Sequence, residues 1–575
     1  MSENLSLTHE RVDDIPLLIG LEQQWGLPAL LDRYLGNHGL HQGLSNGTLT
    51  TAWLAFILSE GDHCKSTVQD WAERHHQTLE RLLGGPIRSV EFNDDRLGIV
   101  LHRLSGTASW QALEAELWAK TVAIYDLELT GVRLDSTTTC GYHTPTEDGL
   151  MQFGHSKDHR PDLPQLKLMA ASADEIGHLI ACDVLSGQSA DNPLYQPLIA
   201  RVRQMLGRTG MLYTGDCKMA ALGTRADIVA HGDYYLMPLP ATGQTRGQIE
   251  EWITVAVEGE SPFIDLIWDG EHLLGAGYEF IRELSDEVAG QRVTWTERVL
   301  VERSREIARQ KGDQLEEHLR EAQRALSGLT PAVGRGYRQY RDESALRTAI
   351  EQIESRCEVS GLLRVAWQRE EESVMRYIGR GRGGPDRPTR TEVRVRYVIT
   401  EVRRDEETVA RQRDRLGWRV LVTNVAQEHS SLTQAVIHYR RGWSLERVFH
   451  LVKARPIGIR PLYVRTDDQI IGLTRLLSLA ARLLTLIETQ VRRGLAQTKA
   501  ALVGLYEGQP NRVTERPTAT RLLKAFARAE ITLTRVELGG QVRWHITPLS
   551  DLLERVLTLV GLPRTSYERL VANSP

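Results

Sequence analysis

Between Leu127 and Met237 the hydrophobic period keeps changing, and this alternation limits the fold more than any other stretch of the chain. Thr130-Gly-Val-Arg-Leu-Asp135 alternates as a strand does and ends in an acid, followed by Ser-Thr-Thr-Thr. Leu166–Ser172 and His178–Leu185, with a turn at Asp174-Glu-Ile-Gly177, read as a hairpin. Leu194–Leu206 is helical, Gly210–Asp216 is a second short strand ending in an acid, Met219–His231 is helical, and Tyr234–Met237 is a further strand. The order β, β-β, α, β, α, β predicts a mixed α/β layer.

The flanking sequence differs in kind. Residues 1–125 predict an all-helical N-terminal domain, with helices at Ile15–Trp25, Thr50–Glu60, Thr67–Leu83 and Asn93–Leu104; it is either a candidate DNA-binding region holding a helix-turn-helix or a packing domain without a ligand. The α/β core runs over 126–240 and is interrupted at 241–415 by a β-rich insertion. That insertion carries a charged helical arm at Val301–Leu326, Gly-rich sequence at Gly379–Pro385 and strand-like pieces such as Val393–Thr400. The core resumes over 416–500 with the strand Trp418–Thr423, a basic helix and a long apolar helix. A C-terminal module, 501–575, holds a helix at Thr518–Ala529, a hairpin turning at Gly539-Gly540 and a last helix at Leu549–Leu559, as a small winged or dimerisation unit would. The 575 residues are enough for three or four domains.

Composition excludes several classes. Five widely spaced cysteines without a C-x-x-C pair argue against a disulfide framework or a zinc ribbon. His63-Cys64 and His75-His76 lack partners at ligand spacing. The first residues lack the basic start and apolar run of a signal peptide, and Arg475 and Arg482 interrupt the apolar run Ile471–Ile487, which reads as a packed helix and not a membrane span. A cytoplasmic protein with no membrane partner is the expectation. A net charge of −5 does not itself advertise nucleic acid, so any such binding must come from a local patch.

One patch stands out. Ile437–Lys453 reads as a single amphipathic helix with Ile437, Trp443, Leu445, Phe449 and Val452 available for a buried side. From Val436 to Arg465 seven basic residues surround one acid, Glu446. A lone carboxylate among phosphate-seeking bases suits a metal ligand held over a nucleic-acid backbone, although a basic solvated face with one ion pair has the same composition. Two earlier aspartates favour the first reading. Asp135 and Asp216 each end an apolar strand, whereas Asp148, Asp158, Asp162, Asp183 and Asp191 do not. A ribonuclease-H-like sheet places the ends of its first and fourth strands side by side with a later helix across them. Three carboxylates would then converge, and hard oxygen ligands suit Mg²⁺ or Mn²⁺. Two such ions could activate an attacking hydroxyl and stabilise the leaving oxygen of a phosphodiester.

Leu134-Asp135-Ser-Thr-Thr, Tyr213-Thr-Gly-Asp216 and Tyr439-Arg-Arg-Gly-Trp-Ser-Leu-Glu446, with Lys453 seven residues on, resemble the three acid motifs of DDE transposases of bacterial insertion sequences. The similarity is to the insertion-sequence-four superfamily, whose ribonuclease-H-like core is split by a β-rich insertion. Gly154-His-Ser-Lys-Asp-His-Arg-Pro-Asp-Leu-Pro-Gln-Leu-Lys167 also resembles a loop of these enzymes, and the likeness spans about residues 90 to 490. The last motif of that family is Y-x₂-R-x₃-E-x₆-K, and Gly442 stands here in the arginine slot; Arg440 or Arg441 is the candidate substitute.

The resemblance implies a fold, a ribonuclease-H-like mixed sheet flanked by helices and interrupted by the insertion, and a set of roles. Asp135, Asp216 and Glu446 would be the catalytic and metal-binding residues, holding two Mg²⁺ ions or Mn²⁺ in their place. Tyr439, Arg440, Arg441 and Lys453 would contact DNA, and Trp443 would either stack on an unpaired base or pack in the core. The implied activity is metal-dependent cleavage at element ends and strand transfer into target DNA, by a homodimer on double-stranded DNA. A metal-dependent nuclease without strand transfer and a catalytically silent DNA-binding derivative are the other readings.

Overall fold

Strand pairing, more than helix packing, decides where the candidate residues go. The structure is a computed structural model describing residues 5–39, 42–88, 90–259, 262–334, 336–379, 386–454 and 457–572. Part of the Gly-rich stretch expected at Gly379–Pro385 (380–385), like Arg455 of the basic patch, lies outside the described residues. The chain forms two units: residues 1–237, 284–295 and 438–575, and residues 238–283 and 296–437.

In the first unit, five strands run in the order Leu179–Ser186, Gln165–Ala173, Val132–Cys140, Leu212–Thr214, Tyr234–Pro238. The first three are antiparallel neighbours, whereas Val132–Cys140, Leu212–Thr214 and Tyr234–Pro238 run parallel. This is the mixed layer that the alternation predicts, in the ribonuclease-H-like strand order that the family resemblance implies. Gln165–Ala173 is buried along its whole length, so both faces of the sheet are covered there. Helices Thr107–Tyr125, Tyr195–Leu206 and Asp467–Thr498 pack against Leu179–Ser186.

One hydrophobic core joins the N-terminal helices, one sheet face, the helix bearing Glu446, Asp467–Thr498 and the C-terminal helices. Asp467–Thr498 is long and apolar enough to cross a membrane, but 94% of its most apolar window is buried inside the protein. Arg475 and Arg482 are buried with it. Arg482 pairs with Glu114 and donates to the Leu179 carbonyl at 3.0 Å, so each buried charge meets acceptors.

The N-terminal region is not wholly helical. Leu5–Arg11 is a strand that pairs antiparallel with Thr532–Leu538, which turns at Gly539-Gly540 into Gln541–Ile546 to complete a three-stranded sheet. Its alternation, Leu5, Leu7, His9, is too short to stand out from the helical sequence after it. The helix expected over Thr67–Leu83 is broken at His75 into Lys65–Arg74 and His76–Leu83.

The second unit contains the β-rich insertion. Trp418–Thr423 pairs with Gln291–Ser304 and Ile264–Trp268 pairs with His272–Val288, each antiparallel. Leu363–Tyr377 and Thr389–Arg404 form a long separate ribbon. Its base packs with helices Arg305–Ser327 and Glu343–Arg356 on a core around Leu319, Leu326, Leu346 and Val359. The charged arm expected from Val301 begins at Arg305, because Val301 is still in a strand.

Gly472 lets the long helix approach Asp94–Leu104: a Cβ there would collide with the Leu101 carbonyl oxygen. Backbone cannot yield as a flexible side chain can. Gly472→Ala is therefore expected to destabilise the first unit by about 1–3 kcal/mol despite raising helix propensity, read as a lower denaturation midpoint.

Candidate active site

The parallel register aligns two acids. Val132 pairs with Tyr213 and Arg133 with Thr214. Asp135 lies as far beyond Val132 in sequence as Asp216 lies beyond Tyr213, and the two carboxylates are close enough to act on each other electrostatically. Asp135 Oδ1 accepts hydrogen bonds from its neighbour's Ser136 N at 2.6 Å and from Lys157 Nζ at 3.2 Å. Burial pushes the Asp135 carboxyl above the usual carboxylate range; Lys157 opposes that rise and Asp216 reinforces it. Asp216 Oδ1 accepts from Tyr195 Oη at 2.6 Å and from Lys218 N at 2.9 Å. The Tyr195 hydroxyl is held well above its ordinary pKa by burial and by the charges of Asp216, Asp135 and Asp191, so it serves Asp216 as a neutral donor.

Of the other acids near in sequence, Asp148 is exposed and four are committed to basic partners. Asp158 pairs with Lys453 at 2.7 Å, Asp162 with Arg160 at 2.7 Å, and Asp183 with Arg201 at 2.5 Å. Asp191 pairs with Lys167 at 2.5 Å and accepts from Ser136 Oγ at 3.1 Å, which places it beside the aspartate pair without joining it.

Glu446 stands apart. It is exposed in the first turn of Trp443–Lys453, a helix that packs against the Val132–Cys140 strand. Among the described residues no three His, Cys, Asp or Glu side chains are grouped to hold a metal ion. The structure therefore brings Asp135 and Asp216 together and brings the helix of Glu446, but not its carboxylate, to them.

Ile437–Lys453 is not one helix. Leu432–Arg440 ends, Arg441 and Gly442 turn, and Trp443–Lys453 begins. The break follows from a buried ion pair. Arg133, on the same strand face as Asp135, pairs with Asp174 through Nε at 3.1 Å and Nη2 at 3.2 Å. It also donates to the carbonyls of His438 at 2.9 Å and Tyr439 at 3.4 Å, which accept as well from the Arg441 and Gly442 N–H groups of the turn, each at 3.2 Å. Its Nη1 would lie 3.2 Å from a Cβ at position 442, so Gly442 leaves room for this guanidinium. His438 Nε2 meets Asp174 at 2.8 Å and lies 3.3 Å from Thr214 Oγ1.

The break changes the expected contacts. Trp443 opens the second helix 45% exposed and is not a core residue, because the helical phase that would have buried it is lost at Gly442. It lines a groove of about 820 Å³ with Arg447, Arg492 and Arg493. Ile437 is only half-buried, while Leu445, Phe449 and Val452 are buried as expected. Arg441 is exposed and pairs with Glu175 at 2.6 Å; Tyr439 and Arg440 are half-buried. Lys453 is held by Asp158.

Sequence reasoning missed Arg133, Lys157, Asp174 and Tyr195. The i, i+2 spacing of Arg133 and Asp135 was a signal for the first. The adjacent opposite charges in Gly154–Lys167 were a signal for the second. Tyr195 carried none, since a helical tyrosine ordinarily reads as packing.

Residues 128–483, more than half of the chain, match the family model described as a transposase DDE domain. The chain belongs to the DDE transposase family. It is accordingly a DNA-transposition enzyme, of a family that uses divalent metal ions. The comparison with curated proteins gives no match. Among solved structures the chain is similar to a piggyBac transposase synaptic complex with hairpin DNA, at 7% identity and a TM-score of 0.35, over 97% of this chain and 86% of that one. So distant a likeness leaves the site to be argued from this transposase's own residues.

Burial alone would push the Asp174 carboxyl up, but the His438 hydrogen bond and the Arg133 charge outweigh it and hold the pKa down to about 2, against an ordinary 3.8. A carboxylate depressed in the folded state stabilises above its unfolded pKa and loses that contribution as pH falls through the folded value. Asp174→Asn should therefore lower stability at neutral pH by about 2 kcal/mol. The gap to wild type should narrow between about pH 4 and pH 2 in thermal melts.

Proposed function

We propose that this transposase cuts DNA at the ends of a bacterial insertion sequence and joins the freed 3′-hydroxyl to target DNA at a site built from Asp135, Asp216 and Glu446. The observation that carries this reading is the juxtaposition of Asp135 with Asp216, which follows the end of the neighbouring parallel strand, inside the region matched to the transposase domain. Two partly buried carboxylates that repel each other are a donor set fitted to a hard divalent cation, which would lower their repulsion. A pair of Mg²⁺ ions, or Mn²⁺, bound there would supply charge to the attacking and leaving oxygens of the phosphodiester.

The chain's own residues do the remaining work. Tyr195 fixes the Asp216 carboxylate by its 2.6 Å hydrogen bond. The Arg133–Asp174–His438 cluster anchors the turn before the Glu446 helix to the strand that carries Asp135. Tyr439, Arg440 and Arg441, with the exposed Trp443, form the DNA-contacting face, which Lys453 joins on leaving Asp158, and recognition of two element ends calls for a homodimer on DNA in the cytoplasm. Glu446 completes the acid set by movement of its helix about the Arg441-Gly442 turn.

The separate position of Glu446 favours a second reading, a silent DNA-binding derivative. One assay distinguishes them. With Mg²⁺ and DNA carrying the flanking inverted repeats, the wild type should produce cut and joined products. Asp135→Asn, Asp216→Asn and Glu446→Gln should each reduce them by at least about a hundredfold while DNA binding persists. Cleavage surviving all three substitutions overturns the site; cutting without joining identifies a nuclease, and binding without cutting identifies the silent reading. DNA affinity should also fall steeply with added salt in filter-binding titrations, since phosphate contacts release counterions.

A further inference from the structure

The loop 154–164 touches both halves of the candidate site. Lys157 Nζ donates to Asp135 Oδ1 at 3.2 Å, to the Ser136 carbonyl at 2.6 Å and to Ser136 Oγ at 3.0 Å. The backbone N–H of Lys157 donates to Thr138 Oγ1 at 2.9 Å, so this residue is pinned to the Asp135 strand at both ends. The next residue faces another element. Asp158, with its side chain 8% exposed, holds Lys453 at 2.7 Å and Arg460 at 3.4 Å. Lys453 lies seven residues after Glu446, two turns along the same helix face. One dipeptide thus grips the strand of Asp135 with its cation and the helix of Glu446 with its anion.

The loop is built to hold that pose. Ser136 Oγ in turn donates to Asp191, and Ser156 Oγ accepts from the N–H groups of Asp158 and Arg160, both at 3.2 Å. His159 is held at φ +55°, a left-handed conformation that a non-glycine residue adopts only when its surroundings impose it. Gln165 Nε2 ties the loop's start through the His155 carbonyl at 3.1 Å.

We propose that Lys157 and Asp158 form a two-point latch: Lys157 occupies the cation's place on Asp135, and Asp158 withholds Lys453 and Arg460 from DNA phosphate. This rests on the reading of Asp135 and Asp216 as metal ligands. An ammonium on Asp135 and a divalent cation on the same carboxylate repel, so occupancy of the site by the metal requires Lys157 to withdraw. Lys157 and Asp158 share a peptide bond, so withdrawal of one loosens the other. Phosphate competing for Lys453 does the reverse, weakening the hold of Asp158 and, through it, of Lys157. Metal and DNA thereby favour each other's binding, and by linkage the coupling is equal in both directions.

Mn²⁺ binding to the full chain without DNA, followed by electron paramagnetic resonance, tests the first point. Lys157→Met should bind Mn²⁺ about two- to fivefold more tightly than wild type, the equivalent of losing one partly exposed ion pair. Asp135→Asn should lose this binding. Unchanged Mn²⁺ binding in Asp135→Asn would overturn the metal-site reading and the latch with it. Loss in Asp135→Asn, with unchanged or weaker binding in Lys157→Met, would overturn the latch alone. Independently of any variant, reductive methylation of Lys157 in the wild type, read by peptide mass spectrometry, should rise when Mn²⁺ is added; no rise contradicts withdrawal. For the second point, Asp158→Asn should tighten DNA binding and steepen its salt dependence by about one to two released ions. Asp551→Asn, an exposed position on the C-terminal helix with the same charge change, should not; equal effects would reduce the second point to net charge and overturn it.

Discussion

Two like charges set side by side by parallel strand pairing are the constraint on which the catalytic unit is organised. Backbone pairing of Val132–Cys140 with Leu212–Thr214 brings Asp135 beside the segment that delivers Asp216 two residues after its strand ends. Their environment answers that repulsion locally. Lys157 meets Asp135, Tyr195 meets Asp216, and the neighbouring Asp191 is neutralised by Lys167. Each of these partners comes from outside the two aspartate-bearing segments, so sheet, helix and loop must all be in place before the carboxylates are accommodated.

A second buried charge, Arg133, extends that order to the final helix. An arginine pointing from the same strand face as Asp135 would be unfavourable without compensation. Asp174 supplies the charge, and the end of Leu432–Arg440 supplies two carbonyls that Arg133 shares with the N–H groups of Arg441 and Gly442. Arg133 thereby braces the turn at Arg441-Gly442, after which the new helix starts at Trp443. The catalytic strand and the helix carrying Glu446 are thus fastened at one end, two residues from Asp135, while Asp158 and Lys453 fasten the other.

Much of this was legible in the chain, and the exceptions have physical causes. Period 2 against period 3.6 is a local signal, so the strands around Asp135, Asp216 and Trp418 and the order of elements from Leu127 to Met237 could be read directly. The acid motifs and the insertion were legible for the same reason, being contiguous and ordered. What failed was non-local. Leu5–Arg11 is a strand only because Thr532–Leu538 lies beside it. Trp443 is exposed only because Arg133, more than three hundred residues earlier, leaves Gly442 as the turn. The convergence of three carboxylates was inferred from a shared architecture, but helix phase and a competing lysine are set by side chains that no motif includes.

The union of Leu5–Arg11 with Thr532–Leu538 also bears on how the chain is made. Ribosomes add about 5–20 residues per second, so the first strand waits roughly half a minute to two minutes for its partner to be synthesised. Throughout that interval Leu5 and Leu7, with the unpaired backbone groups of their strand, are available to other chains. Polysomes crowding several nascent copies would favour pairing between neighbours over pairing within one molecule, and slower translation would lengthen the window.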